Sequence, residues 1–315
     1  MRDGRRWPLA IPGAPAKVSA IATAYHPDPR LLEVLAAARE ACCEVVVVDN
    51  TPGGSALLRG EAPDQQVRVL RPGRNLGLAG ALNLGLRGVS PDSDAVLLLD
   101  QDSVLAAGDV RKLATHLADS TVGVAAPAPW DVARSSFIDP RTALRRQIAD
   151  RDAVITSGMV VRKSLMDELG GFREDFFVDC VDQDFCLRVR RAGKRIVQDK
   201  RVLLPHSLGA LAEHRFLIGH VRTTHHPPWR LYWVIRNGTV LLRENWRLAP
   251  AWCLAWGLIM LRWMLLTALY ERPRGARLLA MWRGLLDGVR GQRNAHYLPE
   301  TARELDGGGL REHKR

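Results

Sequence analysis

The chain has no G-x-x-x-x-G-K-[ST] run, which excludes a P-loop, and no G-x-G-x-x-G follows its first strand-like segment, which argues against a dinucleotide site. It has no internal repeat and no low-complexity segment. Its five cysteines (Cys42, Cys43, Cys180, Cys186 and Cys253) form no C-x-x-C pair, and an odd, scattered set reads as reduced thiols of a cytosolic protein. No secretory signal is expected, because the basic start "MRDGRRWPLAIPGAPAK" has a short apolar part broken by Pro8, Pro12 and Pro15. Acidic residues are scarce in the last third, where 8 Asp/Glu face 18 Lys/Arg between Arg201 and Arg315. Nearly all of the net charge of +11 sits there. Such a tail suits nucleic acid, a phosphate-rich ligand or an anionic membrane surface.

The same third holds seven of the nine tryptophans, between Trp229 and Trp282. Its longest apolar run, "LAPAWCLAWGLIMLRWMLLTALY" (248–270), carries one charge, Arg262, and is long enough to span a bilayer. The mid-run arginine and the many Trp favour a helix lying on or partly in a membrane over one that crosses it. The plain alternative is a Trp-rich helix of a soluble core.

What is present first is bulk: 315 residues, 47% apolar, enough for one large domain or two. "KVSAIATAY" (17–25) reads as a strand, "RLLEVLAAAREA" (30–41) as a helix, and "CEVVVVDN" (43–50) as a strand buried on both faces. "QVRVLRP" (66–72) is a strand and "NLGLAGALNLGLRGV" (75–89) a Gly/Ala-rich helix packed closely on its neighbour. "DAVLLLDQDS" is the next buried strand, 106–119 a helix and "VGVAAPAPW" a further strand. An irregular stretch to Asp152 precedes "AVITSGMVVRKSLMDELGGF", a strand and then a helix closed by Gly170 and Gly171. Residues 181–195 form a helix, and "RIVQDKRVLLPHSLG" a last strand and loop. The alternation predicts an α/β fold, a mostly parallel sheet with helices on both faces. The domains expected are a tail over 1–16, an α/β domain over 17–215 and a basic helical region over 216–315.

Ligands of such sheets bind at the carboxyl ends of the strands. Thr23, Asp49, Asn50, Asp100 and Asp102 all fall there. Singly each suits a cap or turn, but together they mark one edge. Asp100-x-Asp102 offers two hard oxygen ligands, suited to Mg²⁺ or Mn²⁺ bridging to substrate phosphates. "GRNLG" (73–77) sets Arg74 and Asn75 beside a helix start, a place for anionic phosphates. A second acidic cluster is Asp179, Asp182 and Asp184. At helical spacing Asp179 and Asp182 share a face while Asp184 points elsewhere. A carboxylate there can deprotonate a hydroxyl nucleophile, and acids favoured by a helix dipole are the alternative. His206, after the last strand, can give a nitrogen ligand to the same metal or serve the fold. Arg230, Arg236 and Asn237 are candidate diphosphate contacts or a solvated helix face.

The ordered set "ATAYHPD", "VVVVDN", "RNLGLAGALNLGL", "LLLDQDS", "ITSGMVV", "LGGFREDFFVDCVDQDFCLRVRRAG", "LLPHSLG" and "WRLYWVIRNG" resembles the family 2 inverting glycosyltransferases. Within them it is similar to the bacterial rhamnosyltransferases that use dTDP-L-rhamnose. The resemblance covers about residues 17–290 and implies a GT-A fold. It implies that Thr23, Tyr25, Asp49, Asn75, Gly77, Asp100, Gln101, Asp102 and Arg236 bind the nucleotide-sugar. It implies a divalent metal, Mg²⁺ or Mn²⁺, on Asp102, the likelier direct ligand, with Asp100 and His206. Asp182 matches the general base, although Val181 stands where many relatives have Glu, which keeps Asp179 and Asp184 as further candidates. The partners implied are a nucleotide-sugar donor, a cell-surface glycan or polyprenyl-diphosphate-linked acceptor, and the cytoplasmic membrane face, with no nucleic acid.

Two rival readings share some of these residues. "LLLDQDSVL" also fits the hhhhDxDx[TV] motif of the haloacid-dehalogenase phosphatases, but that class carries it on the first strand, and here three strand-like runs come before it. A non-enzymatic membrane- or polyanion-binding protein explains the basic tail but leaves the acidic clusters without a role.

Overall fold

The structure, a computed structural model, describes residues 13–59, 65–205, 212–215, 220–223 and 225–303. The chain begins with alternating strands and helices: β1 (Val18–Ala24), α1 (Arg30–Ala41), β2 (Glu44–Asp49), α2 (Ala56–Arg59), β3 (Val67–Leu70), α3 (Gly77–Gly88), β4 (Ala95–Asp100) and α4 (Ala107–Thr115). The long β5 (Val122–Asp131) follows, then β6 (Ser136–Phe137), β7 (Ile148–Asp150), β8 (Val160–Arg162), α5 (Lys163–Glu168), α6 (Val181–Arg191) and β9 (Arg195–Pro205). A small hairpin, β10 (Ala212–Arg215) and β11 (His220–Thr223), leads to α7 (Pro228–Asn245), α8 (Pro250–Tyr270), α9 (Arg274–Arg290) and α10 (Glu300–Arg303).

Two compact units divide the chain. One is Met1–Arg173 with Asp182–Ser207, the other Glu174–Val181 with Leu208–Arg315.

The first unit is built on a sheet of order β3-β2-β1-β4-β8-β5-β9-β7, with β6 paired to β5. Its first four strands are parallel. The runs "EVVVVD" and "AVLLLD" are apolar at nearly every position because both faces of the sheet are covered. Side chains alternate between those faces. Ala20, Ala22, Val45, Val47, Leu97 and Leu99 pack with Leu31, Val34 and Leu35 of α1 and Val110 and Leu113 of α4. The opposite parity, Ile21, Val46 and Val48, meets α3 at Gly85 and Gly88. A Cβ at Gly88 would stand 2.9 Å from Leu70 and 3.1 Å from Val46, so glycine is what lets α3 lie this close.

Beyond β4 the sheet departs from a repeated βαβ pattern. β8 runs antiparallel to both β4 and β5, while β9 is parallel to β5 and β7 antiparallel to β9. The strand expected across "AVITSGMVV" is confined to 160–162, because Gly158 takes φ +75° and turns the chain before it. The stretch expected to be irregular holds the short β6 and β7.

The second unit is helical. Leu231 and Ile235 of α7, Met260 of α8 and Met281 of α9 form one core, and Tyr232, Trp233, Ala280 and Tyr297 another. Tyr232 stacks on Tyr297 with ring centroids 4.3 Å apart.

Candidate active site

Parallel pairing sets three strand ends side by side. Thr23 of β1 is in register with Asp100 of β4, and Ala24 with Asp49 of β2. The loops leaving β1, β2 and β4 therefore start from one edge, the carboxyl edge at which open α/β sheets bind ligands.

β4 is buried through Leu99 and reaches half-exposed ground at Asp100. There the Ser157 hydroxyl donates to Asp100 Oδ2. Ser157 is itself buried, and its loop is fastened to β4. Gly158 N–H donates to the Leu98 carbonyl at 2.8 Å, and Leu98 N–H to the Met159 carbonyl at 2.9 Å. Asp102, two residues on, has 28% of its side chain exposed and lies 3.7 Å from Arg30 Nη1. Arg30 is shared with Asp28 at 2.7 Å. An exposed pair of this kind holds weakly and yields to a stronger ligand. Gln101 Oε1 accepts the Tyr25 N–H at 2.8 Å, which ties the loops after β4 and β1 together.

Asp49 is fully buried, and both carboxylate oxygens are used on the loop that follows. Thr51 N–H reaches Oδ1 at 3.2 Å and Ser55 N–H reaches Oδ2 at 2.7 Å. Asn50 joins the end of β2 to the start of α3. Its Nδ2 donates to Asn75 Oδ1 at 3.0 Å and to the Gly77 carbonyl at 3.2 Å, and its Oδ1 accepts the Leu76 N–H at 2.8 Å. Asn75 Oδ1 also accepts the Gly77 N–H at 2.9 Å, in a turn that requires φ +72° at Gly77. Thus Asp49, Asn50, Asn75 and Gly77 form the bonded frame of one wall, while Asp102 and the exposed Arg74 lie more open to solvent.

The second acidic cluster divides. α6 begins at Val181, and Asp182 and Asp184 sit in its first turn. Asp184 is buried, with Arg188 Nε 2.8 Å from Oδ2 and Arg173 Nη1 3.7 Å from Oδ1. Arg188 also donates to the Leu169 and Gly171 carbonyls at 2.9 and 2.8 Å, so the pair fastens α6 to the Gly170–Gly171 turn. Asp179 precedes the helix with φ +61°, and the helical face it was expected to share with Asp182 does not form. Its carboxylate is gripped by Arg230, with Nη2–Oδ1 at 2.9 Å and Nε–Oδ2 at 3.0 Å. This hydrogen bonding holds the Arg230 guanidinium above its usual pKa. The oxygens of Asp179 are bound by Arg230 and those of Asp184 lie against Arg188 and Arg173, so both carboxylates are engaged in holding the fold. Asp182 is half-buried at the mouth of α6, its Oδ1 accepting the Gln183 N–H at 3.0 Å. One turn on, Cys186 bonds Val154 N–H and carbonyl at 3.5 and 3.6 Å, fastening α6 to the segment that leads to Ser157.

Arg236 is not placed as a ligand contact. It is 1% exposed, and its guanidinium donates to the Gln292 and Asp175 carbonyls, Asn237 Oδ1 and Asp175 Oδ2 at 2.9–3.2 Å. Those bonds leave it organising the second unit rather than binding a diphosphate. Asn237 likewise donates to the Val178 and Asp179 carbonyls. His206 lies outside the described residues.

Among the described residues no group of three or more His, Cys, Asp or Glu is gathered as a metal cage. Asp100 and Asp102 nevertheless suit a hard cation that takes one or two protein carboxylates and fills its other positions with water and substrate phosphate. Ser157 and Arg30 were not among the sequence candidates. Ser157 stands inside the quoted "ITSGMVV", but its bond to Asp100 crosses 57 positions that no local pattern links.

Comparison with known proteins bears on the family and the fold. Residues 19–170 match the family Glycosyl transferase family 2. The chain is 27% identical over 245 residues to the dTDP-rhamnosyl transferase RfbF of Shigella flexneri, covering 73% of this chain and 81% of that protein. The fold is similar to S. aureus TarS 1-349, solved in complex with UDP-GlcNAc, at a TM-score of 0.56 and 14% identity, covering 89% and 82% of the two chains. It is also similar to GalNAc-T7, solved with UDP, GalNAc and Mn²⁺, at a TM-score of 0.53 and 13% identity, covering 87% of this chain and 56% of that one. The expected GT-A fold is thereby met. The family match and the transferase relative count against the phosphatase reading and the non-enzymatic reading.

Proposed function

The chain is a glycosyltransferase with a family 2 domain, and from that premise we propose that it transfers L-rhamnose from dTDP-L-rhamnose, with inversion, to a hydroxyl of a cell-surface glycan or polyprenyl-diphosphate-linked acceptor. The observation that carries the choice of donor is the 27% identity to a dTDP-rhamnosyl transferase over most of both chains. The site chemistry is compatible with it. The walls framed by Asp49, Asn50, Asn75 and Gly77 hold the nucleotide against the ends of β1 and β2.

Asp102, with Asp100 beside it, would hold Mg²⁺ or Mn²⁺, which would supply positive charge for the departing diphosphate. The Ser157 hydroxyl, bonded to Asp100 Oδ2, would fix the orientation of that carboxylate. Asp182 takes the proton of the acceptor hydroxyl. The acceptor oxygen then forms its bond to the anomeric carbon as the bond to the diphosphate oxygen breaks on the opposite face, so the configuration inverts. Lipid-linked acceptors place the enzyme on the inner face of the cell membrane, as a peripheral protein.

The test is thermal shift with dTDP, UDP and GDP, each with and without Mn²⁺, followed by turnover of dTDP-L-rhamnose. The reading expects stabilisation by dTDP that grows with Mn²⁺ and exceeds that of GDP. No response to any nucleotide, or a preference for GDP, sinks it.

A further inference from the structure

Helix α8 is 21 residues long with a mean hydropathy of 1.6 over its most apolar window, yet only 17% of that window is buried. Its two sides differ. Cys253, Met260 and Thr267, spaced seven apart, are buried. That inner stripe rests on α7, where a Cβ at Gly238 would stand 2.7 Å from Met260 Sδ. On the outer side Leu254, Leu258, Leu261, Leu265 and Leu269 are 68, 59, 52, 54 and 56% exposed. Their spacing of four, three, four and four puts all five on one face of the helix. A contiguous exposed leucine face is not left to water without a use.

The charge around it says what covers it. From Arg247 to Arg293 the only acidic residues are Glu271 and Asp287. Glu271 is 3% exposed and faces Arg277, and Asp287 accepts the Tyr232 hydroxyl at 2.8 Å. The cations Arg247, Arg262, Arg272, Arg274, Arg283 and Arg290 are exposed, as is Trp282. A leucine face rimmed by arginine and tryptophan, with its acids turned inward, complements an anionic lipid surface.

The same geometry decides the helix's attitude. Arg262 lies mid-helix on the exposed side, and a crossing helix would bring it to the bilayer centre. The inner stripe is already packed on α7, which carries the exposed Arg243 and Glu244 and cannot follow α8 into hydrocarbon. We infer that α8 lies in the plane of an anionic membrane. Its leucine face enters the acyl boundary, and Arg262 reaches sideways to lipid phosphates. This deepens the membrane part of the function above without resting on its sugar chemistry, so either can fail while the other stands.

Flotation of the full chain tests it, with vesicles of phosphatidylcholine alone and of phosphatidylcholine and phosphatidylglycerol in equal parts. The chain is expected to float with the anionic vesicles, less so as salt rises, and to stay below with the neutral ones. The L258S/L265S double variant is expected to lose about tenfold or more of its partition, and R262E a few-fold, with the melting temperature unchanged. Wild type that ignores anionic vesicles, or a double variant that floats as well as wild type, overturns the proposal. So does a wild-type dimer that the double variant converts to monomer, since a second copy would then cover the face. Membrane-bound chain from cells is expected to leave the membrane in alkaline carbonate, and chain that resists it has a crossing helix.

Discussion

The sheet edge and the C-terminal helices use arginine and aspartate in opposite ways. In the sheet unit Asp102 at the edge and Asp182 at the start of α6 are half-buried, and the counter-ion of Asp102 is Arg30, itself half in solvent and shared with Asp28. In the helical unit Arg236 is buried among Asp175, Asn237 and Gln292, and Arg277 lies against the buried Glu271. The first arrangement leaves charge that a ligand can claim. The second has already used its charge on the fold, and removing one partner strands the other in a dry place.

The comparison breaks most sharply at the acids of α6. Asp182→Asn is expected to lower transfer by about 10²–10⁴-fold with the melting temperature unchanged, the range of a lost general base. Asp184→Asn is expected to do the reverse, costing stability first because it frees Arg188 and the turn at Gly171. Rates and melting curves of the two variants side by side decide it. An active Asp182→Asn would move the base elsewhere.

Next in size is Arg236→Met. It is expected to destabilise the second unit by about 3 kcal/mol, because the buried Asn237 Oδ1 and the carbonyls of Asp175 and Gln292 lose their donor. Arg30→Ala, at the edge, is expected to cost about 1 kcal/mol or less. Urea titration of both variants reads the difference. Equal effects would mean that burial does not separate the two kinds of pair.

The edge was legible because its strands are buried on both faces. "VVVV" and "AVLLL" announce where the chain runs inside, and Asp49 and Asp100 are where each run stops. Gly85 and Gly88 showed close packing for the same reason. What the residues hid is nonlocal. Nothing in "VDCVDQD" marks the left-handed backbone at Asp179 that breaks the apparent helical spacing. The segment 174–181 leaves the sheet unit for the helical one, and a linear reading with one boundary near 215 has no sign for that return. Arg236 looked like a phosphate ligand because a buried arginine and an exposed one carry the same letter. Its partners at 175 and 292 lie more than fifty positions away on either side.

A buried acid inside the sheet unit sharpens the comparison through pH. Asp199 is fully buried on β9, between Arg201 Nη2 at 2.6 Å and His116 Nε2 at 2.9 Å. Burial pushes its pKa up, but the hydrogen bonds from Arg201 and His116 outweigh that and hold it down at about 2. The folded pKa is depressed, so the stability it gives is present above the ordinary carboxylate range. It is lost as pH falls from about 4 toward about 2. D199N is expected to cost about 2 kcal/mol at neutral pH and progressively less below pH ~4. Urea midpoints of both proteins across that window measure it, and a constant gap would refute the assignment.

The smallest effect is the most specific to the edge. Ser157 donates one hydrogen bond to Asp100 from a loop that Gly158 and Met159 already fasten to β4, so losing the hydroxyl leaves the loop in place and frees only the carboxylate. Ser157→Ala is therefore expected to cost about 1 kcal/mol, read as a several-fold rise in the Mn²⁺ concentration needed for half-maximal dTDP stabilisation. Ser157→Thr, which keeps the donor, is expected to restore part of it. A merely structural serine would lower the melting temperature and leave the Mn²⁺ midpoint where it was. A midpoint unmoved in the alanine variant would show that Asp100 needs no such hold and that Asp102 alone sets the response.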